Sequence, residues 1–461
     1  MKNVHTILNV EEPKDEASML AQGKDYYMHH KFDDAYNLFS QAAELGNQEA
    51  KYYMALSYYN GSNDKDEKKL MSIMESLATN GYLMAYYHLG TMYEKGLCAI
   101  EENEILAQTY YKKEFPAIKE NAEKGDALCQ FRLGGCYSNG RGVEKDETKA
   151  VEWYRKAAEQ GCKDAQAGLG YYYDKGIGVL PDKDEAVKWW REAAEQGDAY
   201  AQYSLGRCYI EGIGVNQDYA EAVIWLRKAA EQDYTSALQV MGTCYEKGIG
   251  VSYDYEKAAI YYRKAADKGD VNAQYLLGNC YIRGIGVNQD DTEALKWFRK
   301  AAEQGNTSAL FAMGICYEEG IGVSRDYQTA AIYYRKAADN GNANAQKRLS
   351  DYYLKGIGVT QSDIEAVKWL QKAINNGNER AMAALGWMYE NGRGVEKSYS
   401  QALKWYHKAA DKGVAIAQHN IGVFYYHGLG VDKSISIAKE WFQKAANQGY
   451  QDSIEILNYY Y

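Results

Sequence analysis

Residues 201–236 read AQYSLGRCYIEGIGVNQDYAEAVIWLRKAAEQDYTS, and residues 273–308 return as AQYLLGNCYIRGIGVNQDDTEALKWFRKAAEQGNTS. Ala201, Leu205, Cys208 and Tyr209 recur at helical spacing and form one apolar face. The helix stops at Gly212-Ile213-Gly214-Val215, where glycine suits a left-handed C-cap. A second helix opens at Asp218, with Glu221 three residues on in the pattern of a capping box. It presents Ala222, Trp225, Ala229 and Ala230 and ends near Gln232. The unit is a helix–turn–helix, with Gly206 small enough for close helix approach and Tyr209 and Trp225 expected to fill the space between hairpins.

Working outward, the Leu-Gly-x-x-Tyr core appears at Leu89-Gly90, Leu133-Gly134, Leu169-Gly170, Leu205-Gly206, Met241-Gly242, Leu277-Gly278, Met313-Gly314, Leu349-Ser350, Leu385-Gly386 and Ile421-Gly422. From Gly134 onward the step is 36 residues each time. The step from Gly90 to Gly134 is 44, an insertion of eight around Tyr110–Ala117, and Ala55…Tyr58 fits the pattern weakly. Asn458 and Tyr461 fall in the first helix of one more unit. The cap slot of the second helix recurs as Asp146, Asp182, Asp254, Asp290, Asp326, Ser362, Ser398 and Ser434, all able to bond the free amides of a helix start. Residues 201–272 and 273–344 agree at about 50 of 72 positions, the mark of a duplicated two-repeat block. A hairpin this short cannot hide both faces alone, so its neighbours must stack on it.

Composition fits an all-helical array. Of 461 residues 46% are apolar and 25% charged, with only 3 prolines, while the 43 glycines and 45 tyrosines sit largely in fixed columns. The net charge of -10 and the lack of any basic block argue against nucleic-acid binding. No apolar run approaches the ~18 residues of a membrane span. The first residues, MKNVHTILNVEEPKDEASML, lack a secretory cleavage site, so a cytoplasmic location is expected. Cys208, Cys244, Cys280 and Cys316 share one slot a repeat apart, beyond the ~7 Å that a disulfide spans; buried free thiols are expected.

The block from Ala201 to Val215, followed by Asp218, Ala222, Trp225 and Lys228-Ala229-Ala230, closely resembles the Sel-1-like repeat family, relatives of the tetratricopeptide repeat with a longer Gly-x-Gly-Val turn. The resemblance covers about residues 50–461. It implies an all-α, right-handed α/α superhelical solenoid of about twelve repeats, used as a scaffold or adaptor for protein partners. Residues 1–14 read as an N-terminal tail and 15–49 as a tetratricopeptide-like cap, with Gly23, Tyr26, Phe32, Ala35, Phe39 and Ala42 at that repeat's spacing. Residues 50–452 are the Sel-1-like array and 453–461 a partial repeat. Ser350 in place of the packing glycine, and Asp233 in place of the glycine after the second helix, read as local adjustments.

Motifs with chemical potential have bland readings. The Gly-Ile-Gly-Val loops follow helices rather than strands, so they do not form a nucleotide-binding fingerprint. Ser-x-x-Lys occurs at Ser62…Lys65 and Ser436…Lys439 without the companion motifs of a β-lactamase-like site. The histidines are scattered, the one loose cluster being His407, His419 and His427. The recurring Arg-Lys-Ala-Ala (Arg155-Lys156, Arg227-Lys228, Arg263-Lys264, Arg299-Lys300, Arg335-Lys336) places cations near helix C-termini, where the helix dipole favours them. No catalytic residue, metal site or cofactor is expected.

Partner binding is expected on the first helices, which line the inner surface of such a stack. Relative to the packing glycine, positions −5, −1, +2 and +3 belong to the core and −3, +1, +4 and +5 to the groove. The duplicated blocks differ at +1 (Arg207 against Asn279, Thr243 against Ile315) and +5 (Glu211 against Arg283, Lys247 against Glu319), while their core slots barely change. The chemically mixed groove suits an extended peptide or an irregular protein surface. Its expected anchors are Tyr171, Tyr203, Arg207, Tyr275, Phe311 and Trp387, because aromatics and arginine dominate contact energies. Trp387, outside the tryptophan column of the second helices, is the first choice. The alternatives are a β-lactamase-like hydrolase and a glycan- or cell-wall-binding module.

Overall fold

The computed structural model describes residues 15–28, 31–61, 67–97 and 100–460. Among them are 25 α-helices and no strand. The helices alternate as first and second members of twelve hairpins, followed by a final helix, Gln451–Tyr460. The chain divides into two compact units, one up to Asp218 and one from Tyr219. Inside each, a hairpin packs on the next. From Ala127 to Asn447 every helix has 13 residues, as in Val271–Arg283 followed by Asp291–Glu303. Nearer the N-terminus, Glu104–Glu123 extends to 20 residues with Pro116 inside, and this helix absorbs most of the eight-residue insertion.

The glycines do three jobs, each with a geometric cause. The first turn glycine, such as Gly284 at φ 61°, takes the left-handed conformation and its amide bonds back to the carbonyl of Cys280. The second, such as Gly286 at φ 71°, lies flat against the preceding hairpin: a Cβ there would be driven into the backbone carbonyl of Tyr255, the first residue of that hairpin's second helix. Gly178 meets Glu147 in the same way, and Gly322 meets Asp291. The helix glycine faces an aromatic ring of its own hairpin: Gly134 faces Tyr154, Gly278 faces Phe298, Gly386 faces Tyr406 and Gly422 faces Phe442. The ring that fills each hairpin from within is the residue after the tryptophan, while the tryptophans themselves, such as Trp225, Trp297 and Trp369, are buried as well. Burying each such ring contributes about 1.5–3 kcal/mol. Buried Ser350 stands where the residue twenty positions on is Leu370 rather than a ring. Asp233 holds φ 60°, the one positive φ of a non-glycine among the described residues.

The tryptophan column is buried or half-buried, each ring covered by a lysine of its own helix. Lys228 lies 4.0 Å from the Trp225 ring centre, and Lys300 on Trp297 and Lys372 on Trp369 repeat that distance. The arginine before the lysine reaches the next hairpin: Arg155 bonds the hydroxyl of Tyr173, Arg263 that of Tyr281 and Arg335 that of Tyr353. The Arg-Lys-Ala-Ala motif is therefore a pair of clasps, one within a hairpin and one between hairpins. A third clasp was not legible as core. Gln166, Gln274 and Gln346, at position −4, are buried. Each donates to a carbonyl eight residues back, Ala158, Ala266 and Ala338 respectively. Each also accepts from an amide thirty residues on: Gln196, Gln304 and Asn376. The second-helix caps form as expected, Asp290 accepting from the amide of Glu293 and Ser362 from that of Glu365.

The turn geometry is checked by a pair of alanines. Gly269→Ala, at φ 92° in open space, should cost only the left-handed penalty of about 1–2 kcal/mol in urea unfolding. Gly286→Ala should cost distinctly more, because its methyl group also separates two hairpins.

Candidate functional site

The first helices expose their predicted groove columns unevenly, and in the unit from Tyr219 onward one stretch becomes concave. A cavity of about 690 Å³ is lined by Leu354, Ala383, Ala384, Trp387, Val414 and Ile416, with Lys347, Asp351, Glu379, Arg380 and Lys412 among its polar neighbours. A second cavity, about 400 Å³, is lined by Phe311 and Arg348 and shares Lys347, Asp351 and Arg380 with the first. The two form one continuous groove carried by the helices Thr307–Glu319, Ala343–Lys355, Glu379–Asn391 and Ala415–His427.

The groove exists for a simple steric reason. At −3, where Tyr203, Tyr275, Phe311, Lys347 and His419 stand in other repeats, this one has Ala383, as one earlier repeat has Ala167. The small side chain leaves space beside Trp387, which stays 40% exposed, and Ile416, 45% exposed. The Arg393 guanidinium lies 5.7 Å from the Trp387 ring and is itself tied to Asp363 by bonds of 2.5 and 2.9 Å, so one side of the indole is braced. Phe311 leans on Tyr334, ring centres 5.6 Å apart. Lys347 and Asp351 pair at 2.6 Å where the cavities join.

Of the expected anchors, Phe311 and Trp387 are brought to this groove. Tyr275 is half-buried against Phe298, 5.9 Å between centroids, and borders neither cavity. In the unit up to Asp218, Tyr171 is exposed and meets Tyr172 edge-on. Arg207 is exposed but bonded to Glu211 at 2.5 Å, which together with Tyr203 raises its proton affinity against the opposing effect of burial. Position +3 is only half-buried in most repeats, as at Tyr209, Tyr245 and Tyr317, whereas −4 is core. Arg380, Lys412 and Ile416 were missed because they lie at the N-terminal ends of first helices or in the turns before them, outside the columns considered. An apolar Ile416 six residues ahead of its packing glycine, where the corresponding slots hold Asn272 and Asn344, was the available signal.

The residues with chemical potential go elsewhere. Ser62 and Lys65 lie outside the described residues. Ser436 is exposed in the first turn of Ile435–Asn447, its hydroxyl 3.2 Å from that of the cap Ser434. His407 packs on Trp441 and His427 on Tyr426. His419 is buried, its Nδ1 2.8 Å from the Ser453 hydroxyl of the final helix. Among the described residues no group of histidine, cysteine and carboxylate side chains converges as a metal site. The seven described cysteines are unpaired, and burial pushes the thiols of Cys208, Cys244, Cys280 and Cys316 up to about 11.

Burial holds the His419 imidazole below its usual range, with Asp452 pulling the other way. The unfolded chain therefore takes up a proton here before the folded one, so the contribution is full above the ordinary imidazole range and falls away as pH drops through it. Hydrogen-exchange protection factors of Gln451–Tyr460, corrected for the intrinsic pH dependence of exchange, should fall as the solution is made mildly acidic, and His419→Gln should flatten that dependence.

Comparison with known proteins agrees with this construction. The model of the Sel1 repeat matches residues 30–47, 83–113 and then 127–450 in consecutive 36-residue units. A solved protective antigen of uropathogenic Escherichia coli strains, displaying an SLR fold, is 33% identical, with 91% of this chain and 88% of that one covered at a TM-score of 0.69. A Sel1 repeat protein from Oxalobacter formigenes is 35% identical over 66% of this chain and 88% of its own, with a TM-score of 0.54. Among curated proteins, the ERAD-associated E3 ubiquitin-protein ligase component HRD3A of Arabidopsis thaliana is 28% identical over 141 residues. That stretch spans 28% of this chain and only 19% of the plant protein. Matched along most of its length, the chain belongs to the Sel1 repeat family.

Proposed function

We propose that the chain is a non-enzymatic scaffold or adaptor of the cytoplasm that holds a protein or peptide partner on the face of its first helices, with the groove between Phe311 and Trp387 as the principal contact. The observation that carries this reading is the pairing of Trp387 and Ile416, two large apolar side chains left exposed in one concavity. An exposed aromatic braced by a salt-bridged arginine loses little conformational freedom on contact, which is the property of an interaction anchor. The curated relative is described as a component of a larger ligase assembly, and that description points the same way. Hydrolysis is a poorer reading, because Ser436 is a surface residue at a helix start and the groove is furnished with apolar and cationic groups.

The test is affinity purification from the native cell with the intact chain and with Phe311→Ala plus Trp387→Ala. The double variant should keep its helical circular dichroism and lose its principal co-purifying protein, as expected when central aromatics are truncated at about 2 kcal/mol or more each. Equal recovery of the same proteins by both would refute the groove assignment.

A further inference from the structure

Building on that assignment, we infer that the groove's occupant is an acidic peptide segment presenting a large apolar side chain to the cavity beside Trp387. Charge is the first argument. The chain carries 63 acidic against 53 basic residues. Along the two joined cavities the balance inverts: Lys347, Arg348, Arg380 and Lys412 face Asp351 and Glu379. Lys347 is satisfied by Asp351 at 2.6 Å, and Arg348 reaches Glu318 at 3.5 Å. Arg380 and Lys412 are exposed and form no ion pair among the described residues, on a protein whose cations are elsewhere often paired within a helical turn.

Shape is the second argument. Ala383, Ala384, Trp387 and Ile416 line one cavity of about 690 Å³, which has ample room for a large apolar side chain. Arg380 and Lys412 border that same cavity. A segment that seats an apolar residue there brings its flanking residues to the two cations. Carboxylates on those flanks replace water around charges that have no internal partner, whereas lysine or arginine would be repelled. Such steering acts on association rate and on choice of partner, and it weakens as salt shortens the Debye length. A nucleic acid is the poorer match, because Ala383, Ala384 and Ile416 are aliphatic and the molecule as a whole is anionic.

The test is selection of short random peptides displayed on phage against the intact, folded chain. It is run in parallel with Trp387→Ala, with Arg380→Glu plus Lys412→Glu, and with Lys257→Glu as a charge control on the second helix Tyr255–Asp267. Enriched sequences should carry aspartate or glutamate around an apolar residue. Their synthetic peptides should bind the parent and the control alike and lose about tenfold or more on either groove variant, the charge reversal removing the salt dependence as well. Enrichment of neutral or basic sequences that Trp387→Ala abolishes would overturn the acidic occupant and leave the groove assignment standing. Acidic sequences indifferent to all three variants would overturn both. Absence of any enrichment, or competition by a single-stranded oligonucleotide in place of the acidic peptide, would overturn this inference, while the purification above decides the groove independently.

Discussion

The closest constraint in this molecule is a backbone contact. At the second glycine of the turns from Gly178 to Gly430, the loop of one hairpin rests on the first residue of the preceding hairpin's second helix, at a separation that excludes even a methyl group. Two consequences follow from this one approach. It sets the spacing between hairpins, because no side chain intervenes to adjust it. It also sets their register, because the loop seats on the end of a helix whose cap, such as Asp254 or Asp290, is fixed by its own hydrogen bond. Rings over helix glycines then fill each hairpin from within. The arginine–tyrosine and glutamine contacts tie it laterally, each amide bond adding about 1 kcal/mol net.

Much of this was legible before any coordinates. Leu-Gly-x-x-Tyr, Gly-x-Gly-Val, the Asp or Ser cap and Lys-Ala-Ala each report a local rule: helical spacing, a left-handed C-cap, an N-cap, a close-packed face. Local rules recur with the repeat, so the sequence displays them many times over. The parts that were not legible depend on a partner across space. That Tyr154, Phe298 and Tyr406, rather than the adjacent tryptophans, meet the helix glycine depends on helix rotation, which spacing alone leaves within one residue. Buried Gln166 and Gln274 looked like surface residues, since glutamine is ordinarily exposed and the carbonyls and amides that satisfy them lie eight and thirty residues away.

The candidate groove divides the same way. Trp387 stood out because it lies outside the tryptophan column of the second helices, and Phe311 because it is an aromatic in a groove column. Ala383 did not, since a small residue in a helix attracts no notice, although the recess beside Trp387 follows from its size. Arg380 and Lys412 belong to helix starts and turns, where charge is commonplace, and gain meaning only from the cavity they share. In such an array a small side chain such as Ala383 leaves room beside a large one, and the cations Arg380 and Lys412 border that room without an ion pair of their own.

The glutamine clasp has a corollary for periodicity. From position 202 onward its slot alternates, with Gln202, Gln274, Gln346 and Gln418 separated by Leu238, Leu310 and Met382. The tryptophan column alternates over part of the same stretch: Tyr261 and Tyr333 replace tryptophan and stack on Tyr245 and Tyr317. Successive joints thus share the backbone contact but add two different chemistries to it, one directional and hydrogen-bonded, the other apolar. Over this stretch the pattern of fastening repeats every two hairpins, twice the period of the turn and cap that build each one.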